Sequence, residues 1–119
     1  MDKITFGAVG EESAARFLER KGYRVLENNY KCRFGEIDVV AMDGDTLVFV
    51  EVKHRATLKY GRPAEAVNTR KQYKISQVAA AYIKSKKLYD APARFDVIEV
   101  LDNRWVNHIE NAFYSMISF

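Results

Sequence analysis

Cysteine occurs once, at Cys32, and histidine only twice, at His54 and His108. An internal disulfide is therefore excluded, and a dedicated zinc site would lack sulfur and imidazole donors. A catalytic thiolate at Cys32 has no support from the residues around it. No apolar run approaches the ~20 residues that a membrane-spanning helix needs, and Met1 to Gly10 is too short and mixed for a secretory h-region. These absences lead us to expect a soluble, cytoplasmic protein with no membrane partner. Proline occurs twice, and no Pro/Gly-rich linker, repeat or low-complexity tract interrupts the chain. One domain over 1–119 with a single core is the expected organisation.

Charge is present but segregated. The net charge is only +3, yet Lys53 to Lys87 holds ten Lys or Arg residues and one acid, Glu65, while Glu36 to Glu51 holds five acids and no base. An acidic pocket beside a basic surface suits a polyanion that must meet a metal ion, although a basic, solvated helix and loop would produce the same pattern.

Hydrophobic spacing predicts a first helix from about Gly7 to Arg20, ended by Gly22, with Glu11 on the stripe of Ala14, Ala15 and Leu18. Tyr23 to Leu26 reads as a strand. Gly35 to Ala41 and Thr46 to Lys53 read as a hairpin closed at Asp43-Gly44. Period-2 alternation puts Ile37, Val39, Val48, Val50 and Val52 on one face. Glu36, Asp38, Val40, Leu47, Phe49, Glu51 and Lys53 fall on the other. A one-residue slip in pairing would separate Asp38 from Glu51. Thr69 and Gln72 resemble a capping box for a second helix, with Ile75, Val78, Ala79, Tyr82 and Ile83 as its apolar stripe. Arg94 to Val100 and Trp105 to Ile109 complete four or five strands. The expected class is α/β, a mixed β-sheet with helices packed against it.

Asp38 and Glu51 are acids set in runs of Val, Ile and Phe, where ionised carboxylates are costly unless paired, hydrogen-bonded or metal-bound. On one face they would repel each other, and a divalent cation would reverse that penalty. Oxygen-only ligands favour Mg²⁺ or Mn²⁺. Lys53 leaves β-structure on the same side as Glu51 and could orient a water or offset charge on a phosphate. Alone, Glu51 and Lys53 would be an ordinary same-face ion pair. Joined by Asp38 and by Glu11 as a third metal ligand, they form a candidate catalytic set, with Glu36 supporting it from the strand entry. Glu11 also suits a simple first-turn role. Arg55, Lys59, Arg62, Arg70, Lys71 and Lys74 are the candidate nucleic-acid contacts. Arg70 and Lys71 oppose the dipole of the second helix, where a phosphate would be welcome. His54 and His108 read as surface or structural side chains, and Tyr60, Tyr73 and Tyr82 as packing residues.

The segments Gly10-Glu11, Gly22-Tyr23, Gly35-Glu36-Ile37-Asp38, Phe49-Val50-Glu51-Val52-Lys53 and Arg94-Phe95-Asp96-Val97 together resemble the YraN-like family of small bacterial proteins. Lys31, where arginine is frequent, and His54 depart from the family's pattern. The family resembles a branch of the PD-(D/E)xK nuclease superfamily, similar in outline to Holliday-junction resolvases and restriction endonucleases. That resemblance implies a restriction-endonuclease-like fold and a Mg²⁺- or Mn²⁺-dependent endonuclease acting on DNA, branched DNA included. It matches Asp38 to the metal-binding aspartate, Glu51 to the second acid, Lys53 to the lysine and Glu11 to the helical glutamate of the resolvase-like branch. A homodimer is compatible with it, since a resolvase needs two active sites. The competing expectations are a nucleic-acid-binding module of the same fold with little turnover, acting with partner proteins, and a structural protein whose acids satisfy internal hydrogen bonds.

Overall fold

The computed structural model of the chain describes residues 8–55, 67–101 and 105–118. Helix α1 (Ala8–Arg20) is followed by strands β1 (Arg24–Cys32), β2 (Gly35–Asp43) and β3 (Thr46–Arg55), then helix α2 (Thr69–Lys86) and strands β4 (Ala93–Leu101) and β5 (Trp105–Phe113). The strands form one sheet in the order β1-β2-β3-β4-β5. Every neighbouring pair is antiparallel except β3 and β4, which run parallel because α2 carries the chain back between them.

Alternation along β3 assigns the two layers. Leu47 and Phe49 pack on the α2 side with Val78, Ala79, Tyr82 and Ile83. Val48, Val50 and Val52 pack on the α1 side with Ala14 and Leu18. The sheet is therefore covered on both faces, which is why its central strands are apolar on both. Aromatic rings fill the α2 side, where Phe95 stacks on Phe49 with centroids 5.6 Å apart and on Phe113 at 4.9 Å.

Local chemistry sets the ends of the elements. Gly22 adopts φ +94 directly after α1, and the Tyr23 amide then donates to Leu18 O at 3.0 Å. Asp43 pairs with Thr46, leaving Gly44-Asp45 as a two-residue hairpin loop with Gly44 at φ +59. The cap of α2 is Asn68, whose side chain accepts from the Lys71 amide at 2.9 Å, and not Thr69 as the capping-box pattern suggested. Gln72 instead donates to Val67 O at 2.7 Å.

Three sequence expectations need correction. β1 extends to Cys32, well past Leu26, and turns into β2 through Arg33-Phe34. β5 extends to Phe113 rather than stopping at Ile109. Ile37 lies in the α2-side core with Val40, whereas Val39 faces α1. Strict alternation fails there because the pairing of β2 with β3 ends at Val39 and Val50, just before Asp38.

Candidate functional site

The β3–α2–β4 crossover lays the first turn of α2 over the C-terminal half of β3, the end of a parallel pair where ligand crevices form in α/β sheets. A cleft of about 480 Å³ opens there, walled by Glu36 and Asp38 of β2, Glu51 of β3, and Arg70, Lys71 and Lys74 of α2. A larger groove of about 670 Å³ near Phe34, Ala81 and Ile117 has no acid in its lining among the described residues and offers no comparable chemistry.

Asp38 and Glu51 are only 8% and 6% exposed, and they meet. Asp38 Oδ2 accepts the Val52 amide at 2.8 Å, and its carboxyl lies within hydrogen-bonding reach of that of Glu51. Burial first, then the hydrogen bond and the charge of Glu51, push the Asp38 carboxyl up to about 8, against the pull of the Val52 amide and Lys71. The fold thus forces two acids together, and Asp38 keeps its proton well above the usual carboxylate range.

Lys71 closes the cluster from above. Its Nζ stands 3.0 Å from Glu51 Oε2, with the Lys53 side chain close by. Burial works against the Lys71 charge, but Glu51 and Asp38 outweigh it, and its affinity for the proton rises. Glu51 Oε2 is nevertheless a buried oxygen with no aligned hydrogen-bond donor among the described residues. At 3.0 Å the contact with Lys71 is close enough to be an ion pair, so we read it as attraction without a directed hydrogen bond.

Of the sequence-derived set, Asp38, Glu51 and Lys53 come together through this chain of contacts. Glu11 lies on α1, which packs on the opposite face of the sheet from α2, and its side chain lies outside the described residues. Among the described residues no three His, Cys, Asp or Glu side chains converge on one point. Glu36 lines the cleft and pairs with Lys31 at 3.5 Å on the surface. Arg70, Lys71 and Lys74 line the cleft together. The Arg55 side chain, and Lys59 and Arg62 altogether, lie outside the described residues.

A second polar cluster was not anticipated. On the α1 face, the fully buried Asp96 accepts from His108 Nε2 at 2.7 Å, Arg94 Nε at 3.0 Å and the Asn111 amide at 2.9 Å. Arg94 reaches on to Asp43 and Glu110, both at 3.0 Å, and to the Tyr23 hydroxyl at 2.6 Å. His108 is thus structural, and its side chain is 3% exposed rather than at the surface. The signal was available in the sequence, since Asp96 sits in an apolar run as Asp38 does.

The fold and cleft define a small α/β protein with a buried carboxylate pair and cations at one sheet end. The chain belongs to the uncharacterised protein family UPF0102, whose model matches residues 10–100. A UPF0102 protein of Caldanaerobacter subterraneus is 47% identical, with 95% of this chain and 98% of the relative covered. One of Syntrophus aciditrophicus is 55% identical over 79% of this chain and 74% of its own length. A third, of Geobacter sulfurreducens, is 50% identical over 90% and 87%. Among the described residues no helix is long and apolar enough to cross a membrane.

Proposed function

We propose that this protein is a metal-dependent endonuclease that hydrolyses a DNA phosphodiester, with branched or structured DNA as its target class. The observation that carries the reading is the pair of buried carboxyls, Asp38 and Glu51, facing one cleft beneath a wall of three cations. A scaffold would need Asp38 alone for the Val52 amide, and burying a second acid beside it costs stability unless a cation offsets the charge. The donor set fits a hard divalent cation: both groups offer oxygen, and Glu51 Oε2 has a lone pair without an aligned donor.

Bound Mg²⁺ or Mn²⁺ would polarise a phosphoryl oxygen and acidify a water. Asp38 and Glu51 would hold the ion, with water and a substrate phosphate oxygen filling its other positions. Lys53, placed two residues beyond Glu51 on β3, would orient the attacking water and offset charge on the phosphate. The water oxygen would form the new bond to phosphorus as the bond to the sugar oxygen breaks; the water's proton would pass to solvent, and the departing oxygen would take one up from solvent. Arg70 and Lys74 would hold the flanking backbone from the first turns of α2.

Purified protein, Mn²⁺ and supercoiled plasmid or a four-way junction test the reading. Nicking that requires Mn²⁺ and disappears in Asp38→Ala, Glu51→Ala and Lys53→Ala, with DNA binding retained, is the expected result. Salt-sensitive binding with no cleavage would replace it with a nucleic-acid-binding module.

A further inference from the structure

Lys71 occupies an unfavourable place by local rules. It stands on the first turn of α2, where the helix dipole favours anions and where the turn contains no acid. Its compensation is tertiary: the Nζ lies 3.0 Å from Glu51 Oε2, which is 7% exposed, whereas the Lys71 side chain is 46% exposed and reaches that oxygen from the solvent side. The ammonium is a counter-charge in ion-pair contact with the carboxyl pair.

We propose that Lys71 is a displaceable counter-ion, holding the place of the divalent cation on Glu51 and moving off into the cleft when the cation binds. This rests on the metal-dependent reading above. A hard cation sits ~2.1 Å from a carboxylate oxygen. An ammonium 3.0 Å from that same oxygen would then crowd a like charge in a weakly screened pocket. The two are alternatives. The missing alignment at Glu51 Oε2 makes the resident contact the weaker of them, because a directed, charge-assisted hydrogen bond would have to be broken otherwise. Once released, Lys71 remains on the wall shared with Arg70 and Lys74, where a backbone phosphate would approach. The same side chain therefore neutralises the acids before the ion arrives and adds a third cation to the phosphate wall afterwards.

Mn²⁺ titration by calorimetry, without DNA, reads this directly. Lys71→Met should tighten Mn²⁺ binding by about tenfold or more. Lys71→Arg keeps a counter-charge and should stay near the wild type. Lys74→Met removes the same charge from the same wall without touching Glu51 and should change the affinity by less than about threefold. Glu51→Ala in the Lys71→Met background should abolish the gain, and thermal melts report whether each variant is folded. If the wild type binds Mn²⁺ but Lys71→Met leaves the affinity unchanged or lower, the counter-ion role is wrong and the metal site stands. Equal tightening in Lys71→Met and Lys74→Met would also overturn it, as a general charge effect. If no variant binds Mn²⁺, the metal-dependent reading falls with it.

Discussion

Asp38 Oδ2 takes the Val52 amide at 2.8 Å, one step beyond the last paired residues of β2 and β3, Val39 and Val50. A side chain thus serves a backbone donor just where the ladder stops, and the carboxyl is fixed beside Glu51. The fold holds Asp38 at a cost, since burial and Glu51 raise its affinity for a proton to about 8. A group whose folded value is raised binds more protons in the folded state, so its contribution is fully present below the ordinary carboxylate value and is lost as pH rises to about 8. Asp38→Asn keeps the acceptor for Val52 and can still donate to Glu51. It should flatten this loss and be more stable than the wild type at pH ~8 by about 1 kcal/mol or more. Urea unfolding at several pH values checks it, and a less stable Asp38→Asn at the alkaline end would refute it.

Asp96 behaves in the opposite sense. Burial alone would raise its proton affinity, but hydrogen bonds from His108, Arg94 and the Asn111 amide outweigh burial and hold it below the usual carboxylate range. Its contribution is present above the ordinary value and lost as pH falls through the depressed one. Asp96→Ala should cost about 3 kcal/mol, because it removes the buried acceptor shared by His108 Nε2, Arg94 Nε and the Asn111 amide, although Arg94 keeps Asp43 and Glu110. The cluster faces α1 and the carboxylate pair faces α2, so folded Asp96→Ala at neutral pH should bind Mn²⁺ as the wild type does. Chemical denaturation and the Mn²⁺ titration together test both halves.

The hairpin, both helices and the acid pair were legible in the sequence because each leaves a periodic or compositional mark. Asp43-Gly44 and the alternation around it gave β2 and β3, and acids inside Val/Ile/Phe runs gave Asp38 and Glu51. β1 was cut short because Glu27 to Lys31 is polar: as an edge strand it pairs through its backbone and needs no second apolar face. β5 was cut short at Glu110 and Asn111 for a related reason. Asn111 has φ +53 at an irregularity in the pairing with β4, and the Asp96 carboxylate holds its amide. The ion pair of Lys71 with Glu51 joins α2 to β3 across a long connection, and no local pattern encodes it. Lys71 therefore looked like a free phosphate contact.

Gly35 explains one of the segments that carried the family resemblance. It enters β2 at φ +144, and a Cβ there would lie 3.6 Å from Val78 Cγ2, which is ordinary contact. Backbone conformation, not space, thus demands glycine. Gly35→Ala should lose about 1–2 kcal/mol. It should also weaken Mn²⁺ binding, because Asp38 lies three residues further along the same strand. A thermal melt with no loss of stability would contradict the backbone account.

Arg70 and Lys74 reach the cleft from α2 without an ion pair to Glu51 among the described contacts, which suits them to a phosphate backbone rather than to the metal. Each phosphate contact releases condensed counterions, so removing one should lower the slope of log K against log salt by about 0.9 on duplex DNA. Arg70→Ala and Lys74→Ala should each weaken binding to all DNA sequences alike and reduce the slope by about that amount. Fluorescence anisotropy at several salt concentrations measures both quantities. Glu51→Ala should move the other way, binding DNA more tightly in the absence of metal, because it deletes a negative charge beside the phosphate path and frees Lys71 to join it. Unchanged slopes in the α2 variants would mean that the DNA approaches from another face, and the cleft would then have to serve a smaller phosphate-bearing ligand.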